Sequence, residues 1–318
     1  MTLLVAVNGA GDNWAPEKWL ARFSARLPDM PVVLFGRDQP DPATVKYVAA
    51  WQPPPGTLAA YPNLQAIFNL GAGVDALLRD ATLPNVPLVR VVNPDLTQRM
   101  TEYVVLHVLM HHRQQRLMDR SQAARQWTTP DQWAAANLRV GIMGMGELGQ
   151  DAATVLSRIG FQVAGWSRSA KAITGVPCFS GVEGLDKFLA RTDVLVVLLP
   201  NTAATSGILN RALFSKLAKD GPLGAPVLIN AGRGLLQVEA DIISCLDDGT
   251  LGAATLDVFN QEPLAVDHPL WSHPKVTVTP HNAADSDPEA ISDYVVGQIR
   301  RHQRGLPLQN IVARDRGY

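Results

Sequence analysis

The chain has 318 residues, 47% of them hydrophobic, a formal net charge of −1 and two cysteines. That length and apolar content can bury a large core and fit two domains better than one. The near-neutral charge argues against a general affinity for nucleic acid or an anionic membrane, and no apolar run is long enough to span a bilayer. Cys178 and Cys245 are too few for a disulfide framework and read as buried thiols. Residues 1–8 carry no basic flank and no cleavage site, so they read as a first strand and not as a signal peptide. A cytoplasmic protein is expected.

In the first hundred residues, short apolar strand candidates at 3–7, 32–35, 66–69 and 88–92 alternate with helical stretches. Residues 15–27 form one such helix, with Asn13 as its expected cap and Pro16 in its first turn. The alternation predicts a parallel sheet covered by helices. Trp51 precedes a rigid Pro53-Pro54-Pro55-Gly56 turn, and either overhangs a cleft or fills core. Leu70-Gly71-Ala72-Gly73-Val74-Asp75 follows the strand at 66–69. Its glycines either leave backbone N–H groups open to an anion such as a carboxylate, or make an ordinary turn.

One long helix is predicted from Asp95 to about Gln126. Val104, Leu106, Val108, Leu109 and Met110 make it apolar on nearly every side, so burial on more than one side is expected, with a partner subunit as one source. His107, His111 and His112 include an i, i+4 pair, but no carboxylate or cysteine accompanies them. They read as helix-face histidines, and no metal site is expected. Residues 126–133, rich in aromatics, read as a linker or a dimer-contact arm.

Residues 138–168 form the best-defined motif. A short apolar strand runs into Gly144-Met145-Gly146-Glu147-Leu148-Gly149, then a helix, then a second strand ending at Ser167-Arg168-Ser169. Strand, G-x-G-x-x-G, helix and strand in that order make the first turn of a dinucleotide-binding fold. Gly144 serves the tight turn, Gly146 lets backbone approach a pyrophosphate, and Gly149 allows close helix–strand packing. The helix start offers N–H groups and a positive dipole end to the phosphates.

Further strands are predicted at 194–199, closed by Pro200, at 226–230, at 252–257 and at 276–279. A helix over 237–248 stops at Gly249, and a closing helix covers 285–302. Arg233, Glu262 and His281 lie just beyond three consecutive strands. In an open parallel sheet ligands bind outside those strand ends, so all three are expected at the crevice of the glycine loop. The residue types suit carbonyl reduction. Histidine is the best proton donor near neutral pH. A carboxylate beside it fixes its tautomer and raises its pKa. Arginine offers a planar fork to a carboxylate and polarises a carbonyl.

Asn230-Ala231-Gly232-Arg233-Gly234, the run from Leu256-Asp257 to Glu262-Pro263-Leu264, and Thr279-Pro280-His281 resemble the signature blocks of D-isomer-specific 2-hydroxyacid dehydrogenases. Within that family, residues 70–75 and 92–103 resemble the glyoxylate/hydroxypyruvate reductase A branch. The resemblance implies two Rossmann-like α/β domains with parallel sheets flanked by helices. A substrate domain would comprise residues 1–98 and 285–318, and a dinucleotide-binding domain residues 99–284. It implies a homodimer acting on small 2-keto acids.

It also implies roles. Arg233 would bind the substrate carboxylate and carbonyl, His281 would be the acid/base and Glu262 its partner. Backbone N–H groups of Gly73 and Val74 would hold the carboxylate, with Trp51 and Met100 near the substrate. Asp257 would face the nicotinamide carboxamide. Trp166, Ser167, Arg168, Ser169, Leu199, Pro200, Thr205, Asn230, Ala231 and Gly232 would join the glycine loop in holding cofactor.

Two positions depart from the family pattern. The end of the second strand, where an acidic residue usually binds the ribose 2′-OH, carries Ser167-Arg168-Ser169, so NADP(H) is expected over a possible NAD(H). Asn282 stands where an apolar residue is commoner. The expected activity is NADPH-dependent reduction of glyoxylate and hydroxypyruvate. The alternatives are a bulkier 2-keto acid and a non-catalytic NADP(H)-binding sensor.

Overall fold

The computed structural model describes residues 1–9, 13–315 and 317. The chain begins with β1 (Thr2–Val7), α1 (Pro16–Arg26), β2 (Val32–Leu34), β3 (Val45–Trp51), β4 (Ala66–Asn69), α2 (Asp75–Leu78) and β5 (Leu88–Arg90). Next come α3 (Pro94–His112), α4 (Gln115–Ala123), β6 (Arg139–Met143), α5 (Glu147–Ile159), β7 (Gln162–Ser167), β8 (Cys178–Ser180), α6 (Gly181–Leu189) and β9 (Val194–Val197). It finishes with α7 (Arg211–Phe214), β10 (Val227–Asn230), α8 (Glu239–Asp247), β11 (Ala253–Leu256), β12 (Val276–Val278) and α9 (Pro288–Gln303). Two compact units result, Met1–Leu96 with Ser286–Tyr318, and Thr97–Asp285. No helix among the described residues is long and apolar enough to cross a membrane.

The first unit holds a parallel sheet in the order β2-β1-β3-β4-β5. Its strands are apolar on both faces because both faces are covered. Leu3, Val5 and Phe68 pack with Trp19 and Phe23 of α1 and with Ile291, Val295 and Ile299 of α9. Leu4, Val48 and Ile67 pack on the other side with Leu58 and Leu77. The closing helix α9 thus returns to the unit built by the chain's start. Arg22 and Arg26 of α1 pair with Glu289 and Asp293 of α9.

The second unit holds a seven-stranded parallel sheet, β12-β11-β10-β9-β6-β7-β8. From β6 the chain builds outward to β7 and β8, then returns to lay β9 on the other side of β6. The strand order therefore reverses beside β6, which makes the crevice after β6 and β9 the expected ligand position in such a sheet.

Several local expectations change. Helix 95–126 is broken: α3 ends at His112, Gln114 takes φ +54°, and α4 starts at Gln115. The apolar pattern stops at Met110, and the polar run from Arg113 to Arg116 has no core face to continue. The Gln114 side chain instead donates to the Asp131 carbonyl at 2.6 Å. Along α3, Val104 and Val108 are buried in the chain's own core while Leu106 is 53% exposed. Helix α1 is preceded by Ala15, and Asn13 does not cap it; the Asn13 carbonyl accepts from Arg22 Nη1 at 3.1 Å. Strand β3 was not expected, although Val45, Tyr47, Val48, Ala49 and Ala50 are buried at the sheet's centre. Cys245 is fully buried as expected, but Cys178 is only partly covered because β8 is an edge strand.

Helix α3 meets the β11–β12 face through hydroxyl groups. His111 Nε2 lies 2.9 Å from Thr255 Oγ1, Tyr103 Oη 2.8 Å from Thr279 Oγ1, and Arg116, at the start of α4, donates to Thr277 Oγ1 at 2.7 Å. Burial pushes the His111 pKa down to about 4, with help from the charge of Arg116. His111 is therefore a neutral hydrogen-bonding group at neutral pH, held in place by packing.

Candidate active site

The three glycines after β6 have different physical roles. Gly144 takes φ +109°, and a Cβ there would meet the Leu198 carbonyl oxygen at 2.7 Å. A Cβ on Gly149 would stand 2.0 Å from the Gly144 carbonyl oxygen. At Gly146 an added Cβ meets nothing within 4 Å. Gly146 and Glu147 are exposed at the start of α5. Two glycines thus serve the fold, while the third keeps backbone open where a phosphate would approach. Met145 is buried against Gly165, and Leu148 is half-buried.

At the end of β7, Trp166 turns its indole into the core and donates from Nε1 to the Gly181 carbonyl at 2.9 Å. Ser167 Oγ donates to the Ser169 carbonyl at 2.7 Å, which fixes the turn carrying the exposed Arg168. Beyond β9, Thr205 Oγ1 donates to the Pro200 carbonyl at 2.7 Å and accepts the Thr202 N–H at 2.8 Å. Leu199 and Gly232 touch closely, since a Cβ on Gly232 would meet the Leu199 carbonyl oxygen at 2.8 Å. No carboxylate follows β7 before Ser180, so the position that would repel a 2′-phosphate carries a cation instead.

Beyond β10 and β11 the backbones run against each other. A Cβ on Gly234 would fall 1.8 Å from the Phe259 carbonyl oxygen, so only glycine fits beside Arg233. Asn230 holds its own loop: Oδ1 accepts the Gly232 N–H at 3.1 Å and Nδ2 donates to the Arg233 carbonyl at 3.2 Å. Ala231 is buried beneath that loop. Arg233 is half-buried, and its Nη1 donates to the Gly232 carbonyl at 2.6 Å.

Glu262 and His281 come together. His281 Nδ1 lies 2.6 Å from Glu262 Oε2, while Glu262 Oε1 accepts the Phe259 N–H at 2.9 Å. The side chain of His281 is 50% exposed and that of Glu262 35%, so the pair is open to a ligand. With Nδ1 committed to the carboxylate, Nε2 is the ring atom left for exchange with a substrate. The hydrogen bond to Glu262 raises the His281 pKa, over the opposing effects of burial and the Arg233 charge. Burial pushes the Glu262 carboxyl up, yet the hydrogen bonds from His281 and Phe259 and the charges of His281 and Arg233 outweigh it. Its net shift is downward. Both shifts favour the charged forms, imidazolium beside carboxylate.

Asp257 is 1% exposed, and its carboxylate accepts from Thr279 Oγ1 at 2.6 Å, from the Asn282 N–H at 3.0 Å and from the Ala283 N–H at 3.1 Å. Asn282 itself is exposed, so its amide side chain faces away from the core. Met100, 7% exposed, packs in the cluster that includes Tyr103, Met145 and Ala283.

In the first unit, Trp51 is half-buried, packs at a tilt against Trp14 with ring centroids 4.8 Å apart, and covers Gly71. A Cβ on Gly71 would meet that indole at 2.4 Å. Asn69 Nδ2 donates to the carbonyls of Gly71 and Gly73 at 2.7 and 2.9 Å, fixing the loop that leads into Val74.

The sequence assigns no role to Asn69, Gln237 or Thr279. Gln237, 2% exposed, accepts from Asn230 Nδ2 at 2.9 Å and donates to the Val258 carbonyl at 2.9 Å, tying the Arg233 loop to the segment before Glu262. A polar residue closing an apolar strand is the signal that would have drawn attention to Asn69; nothing local marks Gln237.

The glycine geometry separates fold from ligand. Gly149→Ala should cost about 1–3 kcal/mol through overpacking. Gly146→Ala should stay within about 0.5 kcal/mol of the parent. Urea unfolding of both variants checks this, and equal losses would contradict it.

Residues 105–283 match the family model for D-isomer specific 2-hydroxyacid dehydrogenase, NAD binding domain. The glyoxylate/hydroxypyruvate reductase A of Serratia proteamaculans is 41% identical over 310 residues, covering 95% of this chain and 96% of its own length. The solved NADPH-dependent glyoxylate/hydroxypyruvate reductase of Sinorhizobium meliloti, in complex with NADP and sulfate, is 45% identical. It superposes with a TM-score of 0.92 over 100% of this chain and 99% of that one. A probable 2-hydroxyacid dehydrogenase from Rhizobium etli, in complex with NADP, HEPES and L(+)-tartaric acid, is 44% identical, with a TM-score of 0.94 and coverage of 100% and 99%. A family model over more than half the chain, and relatives at this identity over nearly all of it, place the chain among the oxidoreductases of the D-isomer-specific 2-hydroxyacid dehydrogenase family.

Proposed function

We propose that the protein is an NADPH-dependent reductase of small 2-keto acids, with glyoxylate and hydroxypyruvate as leading substrates. The observation that carries this reading is the 2.6 Å contact of His281 Nδ1 with Glu262, beside Arg233 at the ends of three adjacent strands. The names of the reductase relatives support the substrate class, and the NADP bound in similar solved structures supports the cofactor. In this reading residues 1–98 and 285–318 form the substrate domain, residues 99–284 bind the dinucleotide, and the protein works as a homodimer.

The residues present fit the cofactor. Gly146 leaves room for a pyrophosphate, which the α5 amides would hold, and Arg168, with Ser167 and Ser169 in its turn, would hold a 2′-phosphate. Leu199, Pro200, Thr205, Asn230, Ala231 and Gly232 line the same strand ends. An ionised carboxylate accepts about four hydrogen bonds; three reach Asp257 from the chain, and the remaining capacity would serve the nicotinamide carboxamide. NADPH, when bound, supplies the hydride.

Arg233 binds the carboxylate of the keto acid and polarises its carbonyl. The Gly73 and Val74 amides also bind the carboxylate, with Trp51 and Met100 bordering the substrate. As negative charge grows on the carbonyl oxygen, His281 Nε2 delivers its proton there. Glu262 stabilises the imidazolium before transfer and fixes the tautomer afterwards.

Absorbance at the nicotinamide band, with glyoxylate, hydroxypyruvate, pyruvate and phenylpyruvate each paired with NADPH and NADH, tests the assignment. The two smallest, polar substrates with NADPH should give the fastest oxidation. A preference for phenylpyruvate would favour a bulkier substrate, and no oxidation with any pair would favour a sensor.

The pH dependence follows from the His281 shift. Reduction needs His281 protonated, so kcat should be full below its raised pKa and fall as pH rises through it. Glu262→Gln removes the main cause of the shift, so the falling limb should move to lower pH, with kcat at neutral pH reduced about tenfold or more. An unmoved limb in kcat profiles would contradict the pairing.

A further inference from the structure

The loop that carries His281 leaves β12 in an uncommon conformation. His281 has φ +53°, in the left-handed region that a side chain with a Cβ avoids. Asp257 is its main anchor, beside the Thr279 carbonyl, which accepts the same His281 N–H at 3.1 Å. The Asp257 carbonyl accepts the His281 N–H at 2.8 Å, and the Asp257 carboxylate accepts the next two backbone N–H groups, those of Asn282 and Ala283. A carboxylate on a single rotatable Cβ–Cγ bond has a broad torsional preference of its own. Its setting is decided by what else touches it.

The further contact is the Thr279 hydroxyl, 2.6 Å from Oδ1, the same oxygen that receives the Asn282 N–H. The direction of this bond is determined, because an ionised carboxylate only accepts. Thr279 therefore spends its one proton on Asp257, and its oxygen accepts from the Tyr103 hydroxyl at 2.8 Å. Tyr103 is 8% exposed, on the buried face of α3, with its ring 4.1 Å from that of His107. Burial raises its pKa, which keeps it a neutral donor.

We propose that Thr279 and Tyr103 are positioning residues for the acid/base histidine: they orient the Asp257 carboxylate, which fixes the backbone of residues 281–283 and so the direction of His281 Nε2. The proposal rests on the reading of His281 as proton donor. Neither hydroxyl touches the His281–Glu262 pair; both act through Asp257. Losing the Thr279 proton lets the carboxylate rotate, relaxes the strained φ at His281 and misaims the proton, while Arg233 remains in place to bind substrate.

The relay is tested with Thr279→Val, which keeps the shape and removes the donor, and Thr279→Ser, which keeps the donor. Tyr103→Phe removes the outer donor alone. Hydrogen–deuterium exchange of a peptide spanning residues 279–284 should be about tenfold faster in Thr279→Val and near parental in Thr279→Ser. With glyoxylate and NADPH, kcat should fall about tenfold in Thr279→Val and about threefold in Tyr103→Phe, KM should stay within about twofold, and Thr279→Ser should restore kcat. Thermal melts identify a variant that has simply unfolded, and Thr279→Ser then carries the test through its own exchange rate. Parental exchange in folded Thr279→Val, or a kcat loss that Thr279→Ser does not restore, overturns the relay. A parent protein that oxidises no NADPH with any 2-keto acid overturns the His281 reading, and the exchange rates still decide the relay by themselves.

Discussion

Three parallel strands lying side by side impose the main constraint on this molecule. β10, β11 and β12 pair in register, Ala254 opposite both Leu228 and Val276. Their carboxyl ends must therefore emerge along one edge. Whatever follows each strand by a few residues is delivered to that edge, however far apart in sequence it lies. Glu262 and His281, 19 residues apart, meet for this reason. The loops can only be as close as their backbones allow, and Gly234 against Phe259 shows them at the limit.

The same edge carries two carboxylates with opposite surroundings. Glu262 is partly exposed and meets a titrating imidazole, so its charge answers to a proton that comes and goes. Asp257 is buried and surrounded by fixed donors, two of them backbone amides, so its charge serves geometry. A pair of acids is thus divided by environment into one that tunes a pKa and one that sets a direction. The hydroxyl chain from α3 extends the second role away from the edge into the core, where burial keeps Tyr103 and His111 neutral.

Much of this could be read in the chain because it is local. The glycine loop is six consecutive residues, and the apolar run before Pro200 can only be a buried strand. The placing of Arg233, Glu262 and His281 followed from strand order alone. What escaped notice is held by partners distant in sequence. Tyr103 and Thr279 are 176 residues apart, and neither type of residue is unusual where it stands. Gln237 looks like the first residue of a helix and is in fact a buried brace. Helix 95–126 is shorter in the structure because apolar periodicity marks a face and says little about where that face runs out. Strand β3 is hard to see in the sequence because Lys46 and two alanines dilute its pattern, although its central place in the sheet buries most of it.

In the proposed reaction His281 supplies the proton while other groups bind. His281→Asn keeps a polar side chain of similar reach and removes the titrating group. Turnover of glyoxylate measured beside NADPH affinity, by nicotinamide absorbance and by fluorescence titration, separates the two. With His281 as the donor, kcat falls by about 100-fold or more while NADPH affinity changes less than about threefold. Near-parental turnover in that variant would contradict it.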